Sequence, residues 1–143
     1  KVLEQSKENP VFYVQYANAR IHSVMRKAQA AGVDTSDTAL QMADFSQNAH
    51  AAELALLRKI AEWPRLLELA AKHKEPHRIS FYLYELAAEY HSLHNLVTAE
   101  PHLRFWQEDN TVLSLAKIAQ IRAVSVVLST GLAILGVTAM EKM

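Results

Sequence analysis

The sequence has no cysteine, and only three glycines and four prolines among 143 residues. Without cysteine there is neither a disulfide scaffold nor a thiolate nucleophile or ligand, which agrees with a reducing, cytoplasmic setting. Three glycines leave nothing from which to build a phosphate-cradling loop. A long apolar run is also missing. The most apolar stretch, Ala123 to Val137, is broken by Ser125, Ser129, Thr130, Gly131 and Gly136. It falls short of the ~20 residues that span a bilayer, so it reads as a buried helix and no membrane partner is expected. There is no net charge either, with 15 basic and 15 acidic side chains, which argues against a strongly basic nucleic-acid binder, and no DNA partner is expected. The chain begins at Lys1 with no initiator Met and no basic-then-apolar leader. It reads as a fragment whose residues 1–143 form a single domain.

What is present is Ala- and Leu-rich sequence, half of it apolar, long enough for one core. Charge is unevenly spread. Residues 1–32 carry five basic and two acidic groups, and 110–143 carry three and one, whereas 33–75 and 76–109 are net acidic. Were the two ends to pack together, they would form one modest positive face.

Asn9 followed by Pro10 is the arrangement of an N-cap and a first-turn proline. From there Val14, Ala17, Ile21, Val24, Met25 and Ala28 recur at helical steps until Gly32, where a left-handed C-terminal cap is wanted. The spacing predicts a helix from Pro10 to about Ala31. A short helix is expected around Ala39 to Phe45, then two more, roughly 49–62 and 64–74, separated at Pro64. The stripe Ile79, Leu83, Leu86, Ala87, Tyr90 and Leu93 gives another helix ending near Asn95. Leu96 to Asn110 reads as a long connection. Thr111 is then expected to cap a last helix running to Gly136, with Val137 to Met143 left as a tail. No strand-like alternation competes, so the fold class is all-α, a bundle of five to six helices.

Advancing 100° per residue places Tyr13, Tyr16, Arg20, Ser23 and Lys27 within an arc of about 80° beside the apolar stripe. Gln15, Asn18, His22 and Arg26 fall roughly opposite, where water is expected. Two tyrosine rings with a guanidinium, a hydroxyl and an ammonium suit single-stranded nucleic acid, the rings stacking on bases and the cations holding phosphates. Spacing alone favours the plainer reading, tyrosines at a core boundary with solvated cations beside them. His91 and His94 stand at i, i+3, a spacing two metal ligands can use. No cysteine or Glu-x-x-His pair supports them, and they read as ordinary satisfied or exposed histidines, with no metal site. Glu85 and Glu89 read as a solvated face. Trp63, at a helix junction, reads as a packing anchor, and Trp106 as a candidate base platform.

The run Asn9 to Arg20, NPVFYVQYANAR, closely resembles NPV[FY]YVQYAHAR, the signature of the anticodon-binding (DALR-type) domain at the C-terminus of arginyl-tRNA synthetases. Glu75-Pro76-His77 leading into Tyr82-Leu83-Tyr84-Glu85-Leu86-Ala87 is similar to the same family, as are Gly131-Leu132, Leu135-Gly136-Val137 and the closing Glu141-Lys142-Met143. The chain departs from the family at Asn18, where His is usual, at Met140, where Pro is usual, and at Lys142, where Arg is common. Asn18, on the predicted solvent face, is expected to matter little.

The resemblance implies a class I synthetase anticodon-binding domain that contacts the anticodon loop of arginine tRNA and reads the central C shared by arginine anticodons. By the same resemblance, the matching residues are Tyr13, Tyr16, Arg20 and Met143, with Ser23, Lys27 and Lys142 on the same surface. The catalytic His-Ile-Gly-His signature is absent, so this fragment would make no covalent bond and hold no cofactor. ATP with magnesium would belong to the full-length enzyme, and the catalytic domain of the same chain would be the second partner. The alternative is a helical protein-interaction module with no RNA role.

Overall fold

The structure, a computed structural model, describes residues 9–143. The charged side chains of residues 1–8, counted above toward a basic N-terminal segment, lie outside the described residues.

Among the described residues six α-helices follow one another: α1 (Pro10–Ala30), α2 (Asp37–Leu40), α3 (Ala51–Ala61), α4 (Trp63–His73), α5 (His77–Ala99) and α6 (Thr111–Ile134). No strand occurs among the described residues, and the all-α bundle expected from the sequence is found. Helix α1 starts where Asn9 Oδ1 accepts the backbone N–H groups of Val11 and Phe12 at 3.0 and 3.2 Å. It ends where Gly32 takes φ +96°, letting the Gly32 and Val33 N–H groups reach the carbonyls of Gln29 and Ala28. Gly136, at φ +83°, does the same after α6. A side chain at either position would be strained.

Three boundaries differ from expectation. The helix predicted over Ala39 to Phe45 is instead the single turn of α2 and a separate 3₁₀ turn, Phe45–Gln47. Ser36 Oγ caps the first by accepting from Ala39 N–H, and Asp44 Oδ1 caps the second by accepting from Ser46 N–H. Second, α5 runs on to Ala99, and the shorter connection holds a 3₁₀ turn at Pro101–Leu103. Third, Asn110 rather than Thr111 caps α6, its Oδ1 accepting from Leu113 N–H at 3.1 Å.

Helix α5 lies at the centre, against α1, α3, α4 and α6. Its fully buried Leu83, Leu86, Tyr90 and Leu93 meet Ile21 of α1, Leu56 of α3, and Ile118, Ile121, Val124, Leu128 and Leu132 of α6. Each such side chain contributes roughly 1.5–3 kcal/mol on burial. Helices α1 and α5 run in the same direction, Tyr13 facing Tyr84 and Arg20 facing His91. At Gly131 of α6 a β-carbon would stand 2.7 Å from the methyls of Leu83, so any side chain there would displace Leu83 from its place between α5 and α6. Helix α6 is the one described helix long and apolar enough to cross a membrane, and 61% of its apolar window is buried inside the molecule.

One polar cluster is sealed into this core. Lys117 Nζ of α6 lies 2.5 Å from Glu53 Oε2 of α3, with the two side chains 3% and 4% exposed. Gln120 Nε2 donates to the Glu53 carbonyl at 2.8 Å and Gln120 Oε1 accepts from Asn48 Nδ2 at 2.8 Å. The cluster locks the start of α3, and the loop before it, onto α6.

Candidate nucleic-acid interface

Residues 137–143 are laid along α1 by side chains of that helix. Gln15 Nε2 donates to the Thr138 carbonyl at 2.8 Å, and Gln15 Oε1 accepts from the Met140 N–H at 2.7 Å. Asn18 Nδ2 donates to the Met140 carbonyl at 2.8 Å, and Arg26 Nη1 to that of Glu141 at 3.2 Å. The Asn18 Oδ1 atom accepts from Ser125 Oγ at 2.7 Å, tying the clasp to α6. The expectation that Gln15 and Asn18 face water is therefore wrong: they are 6% and 1% exposed. A helical wheel shows where apolar partners must lie. It does not show a second buried face whose covering element is peptide backbone, for which amides are the fitting partners.

The clasp brings Lys142 and Met143 beside the first helix. They border an open hollow of about 340 Å³ with Tyr16, Ala19, Arg20, Ser23 and Arg26. Tyr16 is 42% exposed and Met143 54% exposed. The Tyr16 ring lies parallel to that of Phe12 and is stacked on the His91 imidazole at 5.1 Å. The Arg20 guanidinium carbon sits 5.1 Å from the Tyr16 ring centroid, within cation–π range. Arg20 thus lies over one exposed aromatic residue, Arg26 and Lys142 border the same hollow, and the two basic ends of the sequence do meet here as far as the described residues show.

Of the residues predicted for the site, Tyr16, Arg20, Ser23, Lys142 and Met143 are brought together. Tyr13 lies one turn earlier and half-buried, its ring against Tyr84 at 4.8 Å and His91 at 4.6 Å; burial raises its phenol pKa above the ordinary value. Lys27 lies one turn further on. It lines a separate, wider cleft of about 1090 Å³ with Val24, His94, Arg104 and Trp106. Trp63 is packed on Tyr82 at 5.5 Å, as a packing anchor should be, and Glu85 pairs with Lys59 at 2.5 Å.

Sequence reasoning missed Arg26, His91 and Asn95. Arg20 Nη1 lies 2.9 Å from His91 Nδ1, and Nη2 lies 3.5 Å from Asn95 Oδ1. His91 Nε2 in turn faces the Tyr13 carbonyl at 3.4 Å. Burial, helped by the neighbouring guanidinium and opposed by the Tyr13 carbonyl, pushes the His91 imidazole down to about 4. His94 turns elsewhere, its Nδ1 3.0 Å from the Tyr90 hydroxyl. A signal for His91 was available: seven residues after Tyr84 on one helix, it shares that residue's face. Arg26 had no such signal, because its place depends on residues 115 positions away.

Comparison with known proteins matches residues 14–143 to the DALR anticodon binding domain. An arginine–tRNA ligase of Ruegeria pomeroyi is 62% identical over 143 residues, covering all of this chain and 25% of that protein. One from Paracoccus denitrificans is 58% identical over the same span, again 25% of its length. The chain therefore spans about a quarter of the curated relatives it matches. Among solved structures, one from Campylobacter jejuni described as an arginyl-tRNA synthetase superposes with a TM-score of 0.78 at 26% identity, covering 98% of this chain and 28% of the other. The Thermus thermophilus arginyl-tRNA synthetase gives 0.66 at 28% identity, covering 92% and 21%.

Proposed function

The chain belongs to the DALR anticodon-binding domain family, and from that premise we propose that the hollow between α1 and residues 142–143 receives an unstacked base of the arginine tRNA anticodon loop, the central C. The observation that carries this reading is the exposed Tyr16 residue, with Arg20 over its ring, sharing one open hollow with Arg26, Lys142 and Met143. Such a recess suits a flat aromatic guest bearing phosphates. Stacking on Tyr16 contributes about 1–3 kcal/mol, and the soft Met143 side chain adapts to the opposite edge. The cations take the phosphates on either side. Backbone groups near residues 142–143 are the candidates for reading the cytosine edge, where an exocyclic amine donates and a uracil oxygen cannot.

Tyr13 then acts as support rather than as a wall, and Ser23 as a rim hydroxyl. Lys27 reaches the adjoining cleft, where it can meet a neighbouring phosphate. The parent protein would be a cytoplasmic arginine–tRNA ligase whose catalytic domain, elsewhere in the same chain, uses ATP with magnesium.

Titration of this chain with anticodon stem–loop hairpins differing only in C or U at the central position tests the proposal. Weak, salt-sensitive binding is expected, nearer the ~10⁻⁴–10⁻⁶ M of few-phosphate contacts, with C preferred. Nanomolar binding at physiological salt would contradict the affinity. Indifference to both hairpins, with another protein binding the Tyr13 face, would favour the interaction-module reading.

A further inference from the structure

We propose that His91 is a positioning residue for base recognition, holding the Arg20 guanidinium over the Tyr16 ring by accepting its hydrogen bond. The inference rests on the reading of this hollow as the base site and adds to it a residue that does not line the hollow.

The chemistry of its two neighbours leaves His91 one productive state. Arginine has donors and no acceptor, and a backbone carbonyl only accepts. Arg20 Nη1 at 2.9 Å from Nδ1 requires a lone pair on Nδ1. The Tyr13 carbonyl on the other side, at the longer distance of 3.4 Å, calls for a proton on Nε2. His91 is therefore the neutral Nε2–H tautomer, buried at 6% exposure and clamped between the rings of Tyr13 and Tyr16 at 4.6 and 5.1 Å. A second proton would set an N–H against the guanidinium, and the ring's depressed basicity agrees with its staying neutral.

The consequence for recognition is entropic and geometric. A free arginine side chain must be immobilised when a ligand arrives, whereas this one is already held by His91, with Asn95 Oδ1 at 3.5 Å beside it. Its remaining N–H groups are left for the ligand. Loss of that preorganisation corresponds to about a three- to tenfold loss of affinity.

Two substitutions separate positioning from packing. His91→Leu keeps volume and removes the acceptor. His91→Asn loses ring area but places Oδ1 where Nδ1 stood. A purely structural role predicts that Leu is tolerated better than Asn. Positioning predicts the reverse: His91→Leu loses about three- to tenfold in affinity for the central-C hairpin and with it part of the C-over-U ratio, while His91→Asn keeps most of both. A His91→Leu chain that binds and discriminates like the wild type overturns the proposal. Nitrogen NMR of the free wild-type chain at pH 7 supplies a test that needs no variant. A bare Nδ1, together with slowed rotation of the Arg20 guanidinium, is expected, and a protonated Nδ1 overturns the proposal. Wild-type chain that binds neither hairpin would sink the base-site reading itself, whereas discrimination indifferent to His91 would sink this inference alone.

Discussion

Asn18 of α1 donates from Nδ2 to the carbonyl of Met140 at 2.8 Å, across 122 positions of sequence, and takes the Ser125 hydroxyl on its other atom at 2.7 Å. One amide thereby fixes residues 137–143 to two helices at once. In Asn18→Ala the Met140 carbonyl loses its donor and the Ser125 hydroxyl keeps only His22 Nε2 at 3.1 Å, and stability should fall by about 1–3 kcal/mol. Discrimination at the central base should also weaken although Asn18 does not line the hollow, because the segment that carries Met143 is then held by Gln15 and Arg26 alone. Hydrogen exchange checks the cause. The Met140 amide, which Gln15 Oε1 accepts, should lose protection in the variant, and unchanged exchange there would show that the segment is anchored by other means.

The sealed pair Glu53 and Lys117 makes a prediction about stability alone. Lys117→Met leaves a buried carboxylate without its partner and should cost about 3–5 kcal/mol. The double change Glu53→Gln with Lys117→Met should recover most of that, because no charge is then buried. Chemical denaturation of the three proteins decides it; a double variant as weak as the single one would mean that the ion pair itself, rather than its imbalance, sets the cost.

Stability should decline as the solution is acidified from pH 6.5 toward 4. Burial holds both His91 and His94 down to about 4, against an ordinary 6.5, with Arg20 lowering each and Lys27 also lowering His94. Above pH 6.5 neither folded nor unfolded chain protonates these rings. Between 6.5 and 4 the unfolded chain takes up protons that the folded chain refuses, so the balance moves toward unfolding. Below about 4 their contribution levels off. Glu89, whose carboxyl is raised by burial, acts in the opposite direction and softens the slope. Thermal melts from pH 7.5 to 4 should show a falling Tm, reduced in slope by His94→Gln. A Tm that is flat or rises over that window would contradict the burial of both rings.

Much of this molecule was legible before its coordinates. The capped start at Asn9-Pro10, the glycine stops at 32 and 136, and the stripe of α5 are local signals, read from chemistry within a few residues. The same holds for Tyr16 and Arg20, which one helical turn places side by side. The boundaries at α2 and Asn110 were set by side-chain caps competing with apolar periodicity, whereas α5 runs on until Glu100 turns extended before Pro101. The misreading of Gln15 and Asn18 had a different source. Their partners are carbonyls and an amide more than a hundred residues away, and no local pattern announces a buried face covered by backbone. For His91 the sequence showed a histidine spacing without the arginine that gives one member of it a task.

For the hollow to receive a base, Tyr16 must be a recognition surface rather than core. Competition between hairpins carrying C and U at the central anticodon position, run on the wild type and on Tyr16→Ala alongside their thermal melts, tests this directly. With Tyr16 as a residue already 42% exposed, the substitution should lower Tm only modestly while removing most of the preference for C. A variant that loses stability heavily, or that keeps the wild-type preference, would show that the ring packs the bundle and that the base is read elsewhere.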